Sequence, residues 1–141
     1  MIRLIGLPWD SSSSYARGAA LAPTVIRAML HCEASNRYTA AGADALGVIR
    51  DSGDLDLPGE PAAARDAIAA ATEQALDAGE TPLALGGDHS VSFPVLQAFA
   101  RHRGAVNVLH IDAHPDLYDE LYGDRYSHAS PFARALEAGC I

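Results

Sequence analysis

Apolar positions along the chain fall into short unbroken runs separated by longer segments of helical spacing. Ile2 to Leu7 is an apolar run stopped by Pro8, which predicts a first strand buried on both faces. Ala22 to about Glu33 places Val25, Ile26, Met29 and Leu30 at helical spacing behind Pro23, predicting a helix. After an irregular stretch over 35–45, Leu46 to Ile49 predicts a second strand, closed by a polar turn at Asp51-Ser-Gly-Asp54. Glu60 to Ala78 is an alanine-rich helical segment with Ile68, Ala71, Ala75 and Leu76 on one side. Thr81 to Leu85 follows as strand, Phe93 to Arg103 as helix and Ala105 to Ile111 as a buried strand of Val106, Val108, Leu109 and Ile111. Ser130 to Ala138 predicts a last helix, with Ser130 as N-cap and Pro131 in its first turn.

Alternation of this kind predicts an α/β fold: three layers, α/β/α, around a mostly parallel sheet. Parallel sheets bind ligands at the C-terminal ends of their strands. Polar clusters stand at those ends here: Trp9-Asp10-Ser11, Asp51 to Asp54, Gly86 to Ser90 and Asp112 to Asp116. Their loops are expected to converge on one rim.

At 141 residues, 49% hydrophobic and 20% charged, the chain has the composition of one ordinary globular domain. A formal net charge of −8 argues against a nucleic-acid partner, whose phosphates call for a basic surface, and mildly favours cationic substrates. Cys32 and Cys140 form no metal or disulfide pattern, and no apolar run reaches membrane-spanning length, so the sequence reads as cytoplasmic and independent of membranes.

The densest chemical signal is His110-Ile-Asp-Ala-His-Pro-Asp116. If the chain stays extended beyond Ile111, Asp112, His114 and Asp116 alternate onto one face, and Pro115 argues against a helix there. Two carboxylates that close repel each other, and a bound dication is the usual remedy. Donors of nitrogen and oxygen without cysteine suit Mn²⁺ better than a structural zinc. Alone, the cluster reads equally well as a solvated turn. A second acid and histidine cluster, Gly86-Gly-Asp-His-Ser90, follows another strand, and its glycines permit a tight turn that presents His89 at the same edge. That makes coincidence a poorer account and assigns His89 a metal role, with Asp88 in support from behind. His128, just before the last helix, reads either as a loop histidine bonded to backbone or as a general acid/base beside the metals. His110 reads as buried structure, and His31 and His102 as surface.

Together these segments resemble the ureohydrolase family of arginases, agmatinases and related guanidino-compound hydrolases. The resemblance rests on Gly86-Gly-Asp-His-Ser90, Asp112-Ala-His-Pro-Asp116 and Ser127-His-Ala-Ser-Pro-Phe-Ala-Arg134, with Arg17-Gly to Ile26-Arg27 and Asp51-Ser-Gly-Asp54 outside the motifs. His114-Pro-Asp-Leu-Tyr-Asp119 and the segment from Tyr126 are most similar to the agmatinase-like branch, which also contains the plant arginases.

The resemblance implies that His89, Asp112 and Asp116 hold one Mn²⁺, that His114 holds a second with Asp112 bridging, and that His128 is catalytic. It also implies hydrolysis of agmatine or arginine to urea and an amine by a metal-bridging hydroxide, in a homo-oligomer. Two close metals lower the pKa of a shared water toward neutrality, which agrees with that chemistry. The family's later acidic signature, S-x-D-x-D-x-x-D-P, does not occur in the sequence. Residues 1–141 are accordingly expected to form the N-terminal part of a single ureohydrolase domain, with an unpaired sheet edge. Two alternatives from other classes are a catalytically incomplete binding or assembly subunit of the same fold, and a metallophosphoesterase. The latter lacks support in any G-N-H-[DE] segment.

Overall fold

The computed structural model describes residues 1–141. Its centre is a three-stranded parallel sheet of β1 (Ile2–Leu7), β2 (Ile49–Asp54) and β3 (Thr81–Gly86) in the order β2-β1-β3. The register sets Ile2 beside both Ile49 and Thr81. The connections carry α1 (Ala22–Leu30) and α2 (Pro61–Asp77), and α3 (Ser92–Arg103) and α4 (Pro131–Glu137) follow β3. The arrangement is the expected α/β class.

The apolar run of β1 explains why it takes the central place: Leu4, Ile5 and Leu7 are all buried, so both faces are covered. Ile5 and Leu7 pack with Ala64, Ile68 and Ala75 of α2 and with Trp9 and Val91. Small residues on α2 let that helix sit close to the sheet. Glu60 begins it, accepting from the N–H groups of Ala62 and Ala63 at 3.0 and 2.7 Å, with Pro61 in the first turn. A second, smaller cluster of Phe93, Ala135 and Cys140 joins α3 to α4.

Four expectations need correction. Leu46 lies in a single 3₁₀ turn, Ala45–Gly47, and β2 runs instead through the polar residues Asp51 to Asp54. Those acids are tolerated in a strand because α1 covers them with Arg27, whose guanidinium reaches Asp51 at 3.0 Å and Asp54 at 2.5 Å. Residues 105–111 form no strand: the one backbone bond there joins Val106 N–H to the Cys140 carbonyl at 2.9 Å, and Leu109 and Ile111 are exposed. Apolar alternation marks strand potential, but no backbone ladder joins this segment to the open edge of β3, and a strand exists only through its ladder. The apolar positions Val25, Ile26 and Met29 of α1 point largely to solvent, with Pro23 its buried residue. Ser130 precedes α4 without capping it by its side chain, because its hydroxyl is engaged with Ser127 Oγ at 3.0 Å.

Candidate metal centre

The site grows from the end of β3. Gly86 and Gly87 end the strand and Asp88-His89-Ser90 turns into α3. Gly87 is required by proximity: a Cβ there would fall on the main chain of Trp9, whose carbonyl accepts the Asp88 N–H at 2.7 Å. The expectation of a permissive turn therefore had the right residue and a different reason. Asp88 is buried and shares its carboxylate among the Ser90 N–H at 3.0 Å, the Ser90 hydroxyl and the Ser12 N–H at 2.9 Å. It ties the loop after β1 to the loop after β3, its side-chain hydrogen bonds all going to Ser12 and Ser90.

His89 projects from this turn with Nδ1 on Asp116 Oδ2 and 3.7 Å from Asp112 Oδ2. The expected period-two alternation over 112–116 does not form. Asp112 Oδ1 accepts the N–H of His114 at 3.0 Å, folding the segment into a turn, and Asp116 has φ 47°. The positive φ sends the Asp116 side chain back toward His89, and its carbonyl accepts the N–H of Phe132 at 3.3 Å. His114 ends up at the rim, its side chain 79% exposed and its Nδ1 3.8 Å from Asp112 Oδ1. The structure thus brings His89, Asp112 and Asp116 together and sets His114 on the far side of Asp112.

His128 enters from the other side. Its Nδ1 lies 2.8 Å from the Ser12 carbonyl, and its Nε2 lies 3.4 Å from Ser14 Oγ. Tyr126, two residues earlier, is held between the guanidinium of Arg65, 3.9 Å from its ring, and Phe93, at 5.8 Å. Arg134 of α4 is buried and bonds the Asp119 carbonyl at 3.0 Å and carboxylate at 2.9 Å, fixing the loop that follows Asp116. A cavity of about 650 Å³ results, lined by His89, Asp112, His114, Asp116, Tyr118 and His128 among others.

The charges favour cation binding. The Asp112 carboxyl is held below its usual range, first by the His114 N–H and then, against partial burial, by the His89 and His110 imidazoles. The donors are nitrogen and oxygen only, which fits Mn²⁺ and similar divalent ions. His110, which the sequence reading gave as buried structure, stands beside this group: its Nε2 is buried without a hydrogen-bond partner, 3.5 Å from Asp112 Oδ2, and its ring packs at a tilt of 43° against Phe132 with centroids 4.2 Å apart. The spacing His-x-Asp was the available signal, since i and i+2 share a face of extended chain. Ser12 gave no such signal, because it contributes a main-chain carbonyl.

Comparison with known proteins agrees with this frame. The model of the arginase family matches residues 1–141. The mitochondrial arginase of Medicago truncatula is 40% identical over 146 residues, covering 96% of this chain and 43% of that protein. The mitochondrial agmatinase of Gallus gallus is 36% identical over 143 residues, covering 97% and 41%. Among solved structures, arginase from Medicago truncatula superposes with a TM-score of 0.91 at 39% identity, covering 98% of this chain and 46% of that one. The chain belongs to the arginase family. It spans less than half the length of these relatives.

Proposed function

We propose that this chain carries the metal-binding and proton-transfer residues of a manganese-dependent ureohydrolase that converts agmatine or arginine to urea and an amine. The observation that carries the reading is the lining of one cavity by His89, Asp112, His114, Asp116 and His128. His89, Asp112 and Asp116 would hold one Mn²⁺, and His114 a second with Asp112 shared between them. When bound, the two ions supply Lewis-acid charge and a nucleophile at neutral pH.

The remaining work falls to the chain's own groups. A carbonyl only accepts, so the Ser12 contact places a proton on His128 Nδ1 and leaves Nε2 as the exchanging nitrogen of the neutral ring. Nε2 is the atom that would first take up a proton from the cavity and then deliver it to the departing amine, which cannot leave as an anion. The carboxylates around the cavity and the net charge of −8 favour a cationic guanidinium over an anionic substrate. The names of the relatives, arginase and agmatinase, support the guanidino class.

A second reading has its own observation. His114 is exposed, with Asp112 as the one acid within ion-pair distance, so a second ion would find two ligands here. That favours a catalytically incomplete chain that holds one ion and assembles with further polypeptide. No helix is long and apolar enough to cross a membrane. We place the protein in the cytoplasm on its free cysteines, one of them buried, although the relatives named above are mitochondrial, and we expect a homo-oligomer. Urea release from arginine and from agmatine, with added Mn²⁺ and with a generic phosphoester as counter-substrate, tests the readings together. Turnover of the phosphoester alone would defeat both.

A further inference from the structure

We propose that Arg65 of α2 is a positioning residue for His128, acting through the ring of Tyr126. The proposal rests on reading His128 as the proton-transfer residue, and concerns what holds its imidazole rather than what the cavity binds. The Arg65 guanidinium carbon stands 3.9 Å from the centroid of the Tyr126 ring, well inside the range of about 6 Å over which an aromatic face holds a cation. Arg65 makes no ion pair or side-chain hydrogen bond, and the Glu60 carboxylate at the head of α2 feels it only through space. A guanidinium without a carboxylate partner keeps its plane free for the ring. Phe93 of α3 packs against the same ring at 5.8 Å, tilted by 39°.

The surroundings carry this grip to His128. The turn from Asp124 to Ser130 is stiff: Asp124 accepts the Tyr126 N–H at 2.8 Å, the buried Ser127 sets its Oγ 3.0 Å from Ser130 Oγ, and its carbonyl accepts the Ser130 N–H at 3.1 Å. Tyr126 and His128 therefore move together. The void among Trp9, Ser12, Arg65, Ser90, Pro94 and Tyr126 measures about 10 Å³, no more than one water needs, so the stack packs directly against the loop after β1. That loop supplies the Ser12 carbonyl, 2.8 Å from His128 Nδ1. Ser12 thus borders the stack and also receives the imidazole. The base of the clamp is fixed as well, since Ala64 and Ile68 of α2 are each 1% exposed and belong to the main core. Position is relayed from the sheet core through α2, Arg65 and Tyr126 to the imidazole.

Nuclear magnetic resonance of the 141-residue chain tests this through the His128 Nδ1 proton and its exchange with water. The wild type is expected to show that proton, protected by Ser12. Arg65→Met, which keeps the stem and drops the charge, and Tyr126→Leu, which drops the ring, should each speed its exchange by roughly 2–5-fold, the factor that a cation–π contact at a part-exposed site represents. The double variant should go no further than either single one, because both remove the same contact. Arg65→Lys and Tyr126→Phe keep a cation and a ring, and should stay close to wild type. The ring signals of His102 on α3, beside Asp77, should not change in any of them. Circular dichroism checks folding, and the variants of the part-exposed Arg65 carry the test should Tyr126→Leu not fold. Unchanged exchange in Arg65→Met, an equal acceleration in Arg65→Lys, additive effects in the double variant, or a His128 without an Nδ1 proton would each overturn the inference while leaving the ureohydrolase reading to its own assay. Absence of urea release beside the expected exchange pattern would defeat that reading and leave the clamp in place.

Discussion

His128 donates its Nδ1 proton to the main-chain carbonyl of Ser12 across 2.8 Å, joining the segment before α4 to the loop after β1. The same Ser12 gives its N–H to the buried Asp88, the neighbour of His89. One peptide loop therefore references His128, the proposed proton-transfer residue, to the turn that carries His89, the proposed metal ligand. Neither contact involves the metal-facing atoms, so position and ligation are separable.

That separation predicts the behaviour of His128→Ala in any form that turns over. The rate should fall by roughly 10²–10⁴, the usual contribution of a positioned acid/base, with metal content unchanged. Metal analysis beside steady-state kinetics decides it, and stoichiometric metal loss would make His128 a ligand instead.

Metal removal should abolish activity in such a form, and Mn²⁺ should restore it, because the donors about the cavity are imidazole and carboxylate. Full activity after exhaustive chelation, or rescue by zinc alone, would contradict the assignment.

Gly87→Ala should destabilise the fold by about 1–3 kcal/mol or more, since the added methyl meets the rigid main chain of Trp9 rather than a side chain that can yield. Urea denaturation measures this. A change within a few tenths of a kcal/mol would mean that the two loops are free to separate.

How far the sequence foretold these features depended on the range of the interaction. β1, α2 and α3 were legible because apolar runs and helical spacing are local signals, and the meeting of His89 with Asp112 and Asp116 because both segments follow strand-like apolar runs, although the expected alternation over 112–116 did not form. Residues 105–111 misled because pairing is set by a neighbour, which no local pattern encodes. Asp51 to Asp54 read as a turn because the compensating Arg27 lies 24 residues before Asp51. The inward aim of Asp116 depends on a positive φ fixed by the Phe132 N–H, and the buried Nε2 of His110 on a phenyl ring from α4. Both are tertiary facts.

Acid stability should carry the mark of Asp51. Burial raises its pKa, but the Gly53 N–H and the Arg27 guanidinium outweigh it and hold the carboxyl below its ordinary value of 3.8. A folded pKa below the unfolded one stabilises the fold above about that value, and the contribution disappears as pH falls through the lowered native pKa. Its size should be about 1 kcal/mol, because the pair is partly solvated. Asp51→Asn should therefore lower stability at neutral pH and flatten the acid limb below pH 4, read by circular dichroism against pH. An acid limb identical to wild type would remove Asp51 from the account.

Self-association should increase with concentration, and the reason lies along residues 83–111. The β3 edge away from β1 has no partner, and Leu83, Val108, Leu109 and Ile111 are all exposed beside it. An open edge next to apolar side chains recruits further chain, here a second copy. The exposed apolar positions Leu21, Val25, Ile26 and Met29 lie on and before α1, so an alternative contact exists there. The two are separable by mutation. Leu109→Lys with Ile111→Lys should shift the sedimentation profile toward monomer and leave the circular dichroism intact, because both side chains already face solvent. Val25→Lys with Met29→Lys should leave the profile unchanged if the sheet edge is the contact. The reverse result would transfer the interface to α1, and a monomeric wild type at high concentration would dismiss both surfaces.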